Sequence, residues 1–308
     1  MMEIRKGRAR VGEIELEYED WGDINNPPMV LVMGLSAQMM LWPDGFCEQL
    51  VQQGFRVVRF DNRDIGLSTK IKSRGPHIKQ WLLMARAQLG LRSEVPYTLH
   101  DMAKDTLGLM DHLGIQRAHL VGASMGGMIS QIIAGRFPER VASLGIVFSS
   151  TNQPLLPPPQ PSAILPLMKG PGKDATEEQR LAHSMKLVKS IGSPGYPRPD
   201  AEIEAFVRRM FARSYYPAGV KRQMMAVLGT GNLRPYAKRV SAPTVVIHGE
   251  MDPLIRPAGG KAVASAIRGS TLELVPGMGH DLPQQLWPRI VRSLTLNSQR
   301  VNSRASAA

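Results

Sequence analysis

His119-Leu120-Val121-Gly122-Ala123-Ser124-Met125-Gly126-Gly127 joins an apolar run to a helix-like one through a Gly-x-Ser-x-Gly turn. A strand that ends in this pattern and opens a helix is the setting of a nucleophile elbow. So sharp a turn forces Ser124 into a strained backbone conformation and requires small residues at Gly122 and Gly126. The hydroxyl then stands clear of the sheet at the positive end of the helix, where negative charge is favoured. Taken alone the pattern also fits a structural glycine turn. The strand–turn–helix setting favours the nucleophile, and no second Gly-x-Ser-x-Gly occurs in the chain.

On either side of the turn, strand and helix patterns alternate. Glu13–Tyr18 alternates apolar and charged residues, as a half-exposed antiparallel strand does. Met29–Met33, Phe55–Phe60, His119–Val121 and Ala142–Phe148 are apolar runs suited to strands covered on both faces. Gly45–Gln53, Leu99–Leu113 and Met125–Gly135 have helical patterns, and Gly114 is a helix stop. Pro154–Pro161 cannot continue a sheet. After it, Thr176-Glu177-Glu178-Gln179 forms a capping box, Asp200 caps a helix bearing Ile203, Phe206, Val207, Met210 and Phe211, and Ala218–Leu228 forms another. Strand and helix then resume at Thr244–His248, Gly260–Arg268, Thr271–Val275 and Gln284–Leu294. The class is therefore α/β, a mostly parallel central sheet with helices on both faces and one helical insertion. Residues 1–151 and 237–297 form the core domain, 152–236 the insertion, and 298–308 a polar, flexible tail.

A serine hydroxyl needs a base. His280, in Val275-Pro276-Gly277-Met278-Gly279-His280-Asp281, follows the last strand on a glycine loop and titrates near neutrality. Asp252 follows the preceding strand in His248-Gly249-Glu250-Met251-Asp252-Pro253 and fixes the imidazole tautomer, with Glu250 as the competing acid. The earlier strand ends in Ser149-Ser150-Thr151-Asn152, without an acid, and Asp281 points elsewhere. The order Ser124, Asp252, His280 is that of the α/β-hydrolases. His119 serves strand packing and His248 orders the acid loop. An oxyanion hole requires two aimed donors: the N–H of Met125, and that of Leu35 or, second, Ser36 in Gly34-Leu35-Ser36.

Met33-Gly34-Leu35-Ser36-Ala37-Gln38, Trp42-Pro43, Asp61-Asn62-Arg63-Asp64-Ile65-Gly66-Leu67-Ser68, the elbow and Pro276-Gly277-Met278-Gly279-His280 resemble the α/β-hydrolase superfamily, and within it the aclacinomycin-methylesterase-like ester hydrolases. The resemblance runs from about Val11 to Leu296 and is weakest across the insertion. It implies an α/β-hydrolase fold, a cap formed by the insertion, no cofactor, and Ser124, Asp252 and His280 as a catalytic triad. Two departures stand out: Met33-Gly34 where many members have His-Gly, and Asp64 where many have Gly. Asp61, Arg63 and Ser68 brace this region rather than react.

The expected substrate is a small-molecule ester. Gly34, Ser36, Trp42 and Met278 are candidate binding residues, and methionines near the site (Met33, Met39, Met40, Met125) and in the insertion suit an adaptable apolar pocket or an ordinary core. A carbon–carbon bond hydrolase or a perhydrolase would use the same triad, and a small-molecule receptor can keep it. A dehalogenase or epoxide hydrolase would need a carboxylate nucleophile, and an aminopeptidase an acid such as Glu202 or Glu204. The net charge of +12 comes from dispersed Lys and Arg without aromatic interleaving, which argues against nucleic-acid binding. His77, His100, His112, His183 and Cys47 lack metal-ligand spacing. Met1–Gly12 is basic with no following apolar region, and Met29–Leu35 is too short to span a bilayer, so neither a secretory signal nor membrane insertion is expected. A lone cysteine forms no intrachain disulfide and suits a reducing cytoplasm.

Overall fold

A computed structural model describes residues 3–73, 79–172 and 174–305. Arg74 and His77, and residues 306–308 of the expected tail, lie outside these. Among the described residues eight strands form one sheet in the order β1-β2-β4-β3-β5-β6-β7-β8. They are β1 (Ile4–Val11), β2 (Ile14–Trp21), β3 (Pro28–Val32), β4 (Arg56–Phe60), β5 (Ala118–Ala123), β6 (Val141–Val147), β7 (Thr244–Gly249) and β8 (Thr271–Val275). From β4 through β8 all neighbours are parallel, and β2 pairs antiparallel with both β1 and β4.

The twofold alternation of strand side chains builds two cores. Val30, Leu120 and Ile146 face one way, where α3 (Leu99–His112), α4 (Met125–Arg136) and α10 (Pro257–Ala266) supply Met102, Ile129 and Val263. Met29, Leu31, Val121 and Ile247 face the other way, against Phe46 and Leu50 of α1 (Asp44–Gln52) and Ile290 and Leu294 of α11 (Trp287–Ala305). Such double coverage is why these strands are apolar on both sides. Cys47 belongs to the second core, and burial pushes its thiol up to about 12, which removes it as a nucleophile.

The sequence reading did not anticipate β1. Its basic residues meet acids across the ladder, Lys6 with Glu19 at 2.9 Å and Arg8 with Glu17 at 2.9 Å, so the basic N-terminus is an edge strand. Between β6 and β7 lie α5 (Pro161–Lys169), α6 (Glu177–Ile191), α7 (Asp200–Arg213), α8 (Pro217–Thr230) and α9 (Arg234–Ala237). The capping box opens α6 as expected, with Thr176 and Gln179 exchanging hydrogen bonds. Asp200 is the first helical residue rather than the cap and pairs with Lys189 at 2.6 Å. A further helix, α2 (Gln80–Gln88), packs on α8. Residues 298–305 are not a loose tail but the last turns of α11. Asn297 Nδ2 donates to the carbonyls of Leu144 and Pro243, and Arg300 to those of Thr244 and Gly269, which ties the helix to the sheet end. No helix among the described residues is long and apolar enough to cross a membrane.

Candidate active site

β5 ends at Ala123, Ser124 takes φ 55° and ψ −119°, and α4 starts at Met125. The glycines serve close approach. A Cβ at Gly122 would lie 2.6 Å from the Gly127 nitrogen, and one at Gly126 would lie 2.6 Å from the Val32 carbonyl carbon. The space they leave is therefore between β5, the first turn of α4 and the end of β3, rather than around the Ser124 side chain.

β7 lies next to β6, the neighbour of β5, and β8 lies next to β7; the loops after β7 and β8 reach Ser124. Asp252, 1% exposed, lies after β7; His280, 8% exposed, lies after β8. His280 Nε2 is 3.0 Å from Ser124 Oγ, and its Nδ1 is 2.7 Å from Asp252 Oδ2. Asp252 Oδ1 accepts the N–H groups of Leu254 (2.9 Å) and Ile255 (2.8 Å). Burial alone would raise the Asp252 carboxyl, but the charge of His280 and hydrogen bonds from His248 and His280 outweigh it and bring it down to about 2. Three side chains spread over more than half of the sequence thus form one hydrogen-bonded chain. Glu250, the competing acid, is exposed. His248 Nε2 donates to the Ile255 carbonyl at 2.7 Å and lies 3.4 Å from Asp252, so it orders the acid loop. His119 pairs with Ser143 on β6, and burial pushes it down to about 4.

Gly34 packs against Ser124, a Cβ there lying 3.0 Å from that of the serine. The Ser36 N–H is taken by Gln223 Oε1 at 3.0 Å, so of the two candidates in this loop the Leu35 N–H is the one without a hydrogen-bond acceptor among the described residues. The Met125 N–H is at the first position of α4, where no intrahelical acceptor exists. Trp42 and Met278 correct the expectation of substrate contact. Both are 0% exposed in the second core, Trp42 stacked on Phe46 at 5.5 Å. Met33, Met39 and Met125 are core residues too. Phe148, read in the sequence only as the end of a strand, has its ring centroid 4.6 Å from that of His280.

The insertion grips this site in two places. Its α6–α7 turn holds the His280 loop: Ile191 O accepts the His280 N–H (2.7 Å), Ser193 Oγ accepts that of Gly279 (2.8 Å) and donates to Asp281, and Gly277 O accepts that of Gly195 (2.9 Å). Asp281 therefore points away from His280's partners, as expected. On the other side, Arg222 pairs with Asp64 through two bonds of 2.8 Å, Arg213 with Asp61 at 2.7 Å, and Gln223 Nε2 with the Arg63 carbonyl at 2.8 Å. Asp64 has φ 72°, a left-handed conformation that suits the glycine the family resemblance leads one to expect there. Here an aspartate spends its side chain on Ile71 N and Arg222 instead. Asp61 and Ser68 brace the segment as expected, Asp61 accepting from Met39 N and Leu67 N and Ser68 donating to Asp61 O. No sequence pattern marked Ser193, Arg213, Arg222 or Gln223, because their partners are distant in the chain.

A family model described as alpha/beta hydrolase fold matches residues 27–283. The chain is 25% identical over 293 residues to the rhodomycin D methylesterase of Streptomyces peucetius, covering 88% of this chain and 90% of that protein. It is 24% identical over 272 residues to a 2-hydroxy-6-oxononadienedioate/2-hydroxy-6-oxononatrienedioate hydrolase of Paraburkholderia xenovorans, covering 87% and 85%. The enol-lactonase structure from Burkholderia xenovorans superposes with a TM-score of 0.72 at 22% identity, over 94% of this chain and 99% of that one, a likeness of fold.

Proposed function

Because the chain belongs to the α/β-hydrolase fold family, we propose that it is a serine hydrolase that cleaves carboxylic esters through an acyl-enzyme at Ser124. The observation that carries this reading is the unbroken chain Ser124 Oγ–His280 Nε2–His280 Nδ1–Asp252 Oδ2, at 3.0 and 2.7 Å. His280 takes the hydroxyl proton as Ser124 attacks the carbonyl, and ionised Asp252 stabilises the imidazolium. The N–H groups of Leu35 and Met125 receive the oxyanion, each worth about 3 kcal/mol in the transition state. The alcohol leaves with the proton from His280, and water activated by the same histidine releases the acid. Gly34 and Ser36 border the acyl group. Residues 152–236 form a cap over the core of 1–151 and 237–297, its α6–α7 turn and its α7–α8 side latched to the core by the contacts above. The similarity to a methylesterase supports an ester as substrate.

The test is a panel of p-nitrophenyl esters graded by acyl length, followed in the first turnover. The expected result is multiple turnover with an initial burst of p-nitrophenolate. A small-molecule receptor would give a single slow turnover. The Paraburkholderia relative is named as a hydrolase of an oxo-dienedioate, so a carbon–carbon substrate is the second reading, favoured by cleavage of such a compound with inert esters.

The α6–α7 clamp has its own expected outcome. Ser193→Ala removes the acceptor of Gly279 N and the donor to Asp281, loosening the His280 loop. The turnover number falls by roughly ten- to a hundredfold with KM nearly constant, because misplacing the base by a fraction of an ångström hampers proton transfer without altering the pocket. Ser193→Thr, which keeps the hydroxyl, restores most of the rate. Steady-state kinetics of the two variants measure this.

A further inference from the structure

We infer that the outward face of α2 and the turn beside it form a docking surface for an anionic lipid bilayer. α2 sits on α8 through Leu83 and Ala87, which are buried. At 100° per residue, the opposite side of the helix carries Trp81, Leu82, Ala85 and Gln88, and Leu89 caps its end. A surface helix ordinarily presents polar residues there; this one exposes Trp81 by 66% and Leu89 by 63%. The apolar surface does not stop at the helix end. Gln88 Nε2 donates to the Leu156 carbonyl at 3.3 Å and Pro154 packs at Gly90, which brings the segment carrying Leu155, 83% exposed, to the helix end where Leu89 and Leu91 are also exposed. Single exposed apolar side chains are unremarkable, but a contiguous group of this size marks an interaction site.

Charge selects the occupant. Between Thr69 and Glu94 the sequence has six Lys or Arg and no Asp or Glu. Lys72, Lys79 and Arg92 are exposed, and among the described residues neither they nor Arg86 forms an ion pair with a carboxylate. An apolar face carrying a tryptophan and bordered by unneutralised cations fits a bilayer, with the Leu and Trp side chains entering the headgroup–acyl boundary and the cations meeting lipid phosphates. A second copy of this chain fits poorly, since it would set cations against cations between two molecules of net charge +12. A bare nucleic-acid backbone would leave the leucines unmatched. The same α8 that supports α2 holds Arg222 and Gln223 against the loops beside Ser124, so docking would bring the site's rim to the membrane, where apolar esters collect.

Sedimentation of the full chain with vesicles tests this, independently of catalysis if Ser124→Ala is run alongside. Vesicles of phosphatidylcholine containing phosphatidylglycerol are expected to bind the protein at least about tenfold more tightly than phosphatidylcholine alone, with the advantage lost in molar salt. Ser124→Ala binds equally. Trp81→Ser/Leu89→Ser and Lys72→Glu/Lys79→Glu, with unchanged thermal midpoints, each lose that binding. No binding to the anionic vesicles, binding unaltered by either double variant, or self-association in solution that depends on Trp81 overturns the inference.

Discussion

Ser124→Ala is expected to lower ester turnover by about four to six orders of magnitude while leaving the thermal midpoint and substrate binding nearly intact. In the proposed mechanism Ser124 Oγ is the atom that bonds to the acyl group, and the nearest serine hydroxyl is already engaged. Ser149 Oγ is committed to the Ser124 carbonyl at 2.6 Å. Removing Oγ also relieves nothing in the backbone, since the positive φ at residue 124 is imposed by the elbow and an alanine retains the Cβ. Stopped-flow assays at matched protein concentration, with unfolding curves for both proteins, measure the two halves of this expectation. Residual activity within about tenfold of wild type would mean another nucleophile.

The second large effect is expected from Asp252→Asn. The amide cannot hold the imidazole in the tautomer that accepts the serine proton, and turnover falls by about four orders of magnitude. This variant also has a pH signature in stability. The Asp252 carboxyl is held at about 2 in the folded chain, against an ordinary value of 3.8. A depressed carboxyl contributes stability that is fully present above the unfolded value and lost as pH falls through the folded one. The stability gap between wild type and variant therefore stays constant above about pH 4 and narrows by roughly 2 kcal/mol on the way to about pH 2. Denaturant titrations along that range test it; a gap that widens with acid would reverse the sign.

What could be read in the sequence followed from local grammar. The elbow shows because strand, sharp turn and helix leave three kinds of residue in nine consecutive positions, 119–127. Asp252 and His280 show because each follows an apolar strand on a short loop. The central strands announce themselves by being apolar on both faces. β1 does not, because an edge strand buried mainly at Ala9 and neutralised by carboxylates on β2 resembles a basic tail until its partner is known. α2 escaped because its apolar residues face outward, so its pattern fits no buried helix. Trp42 and Met278 lie within a few positions of site residues, yet alternation and loop path turn them into the core, which proximity in the chain does not reveal. The latches between insertion and core, Arg222 on Asp64 and Ser193 on the His280 loop, join residues more than 80 positions apart. Only tertiary packing defines them.

Covalent trapping tests the central claim most directly. A fluorophosphonate added to the full chain, followed by peptide mapping in a mass spectrometer, is predicted to mark Ser124 alone, at a rate greatly reduced in His280→Ala. Modification of any other residue in its place, or ester turnover that survives with Ser124 fully modified, would contradict the account.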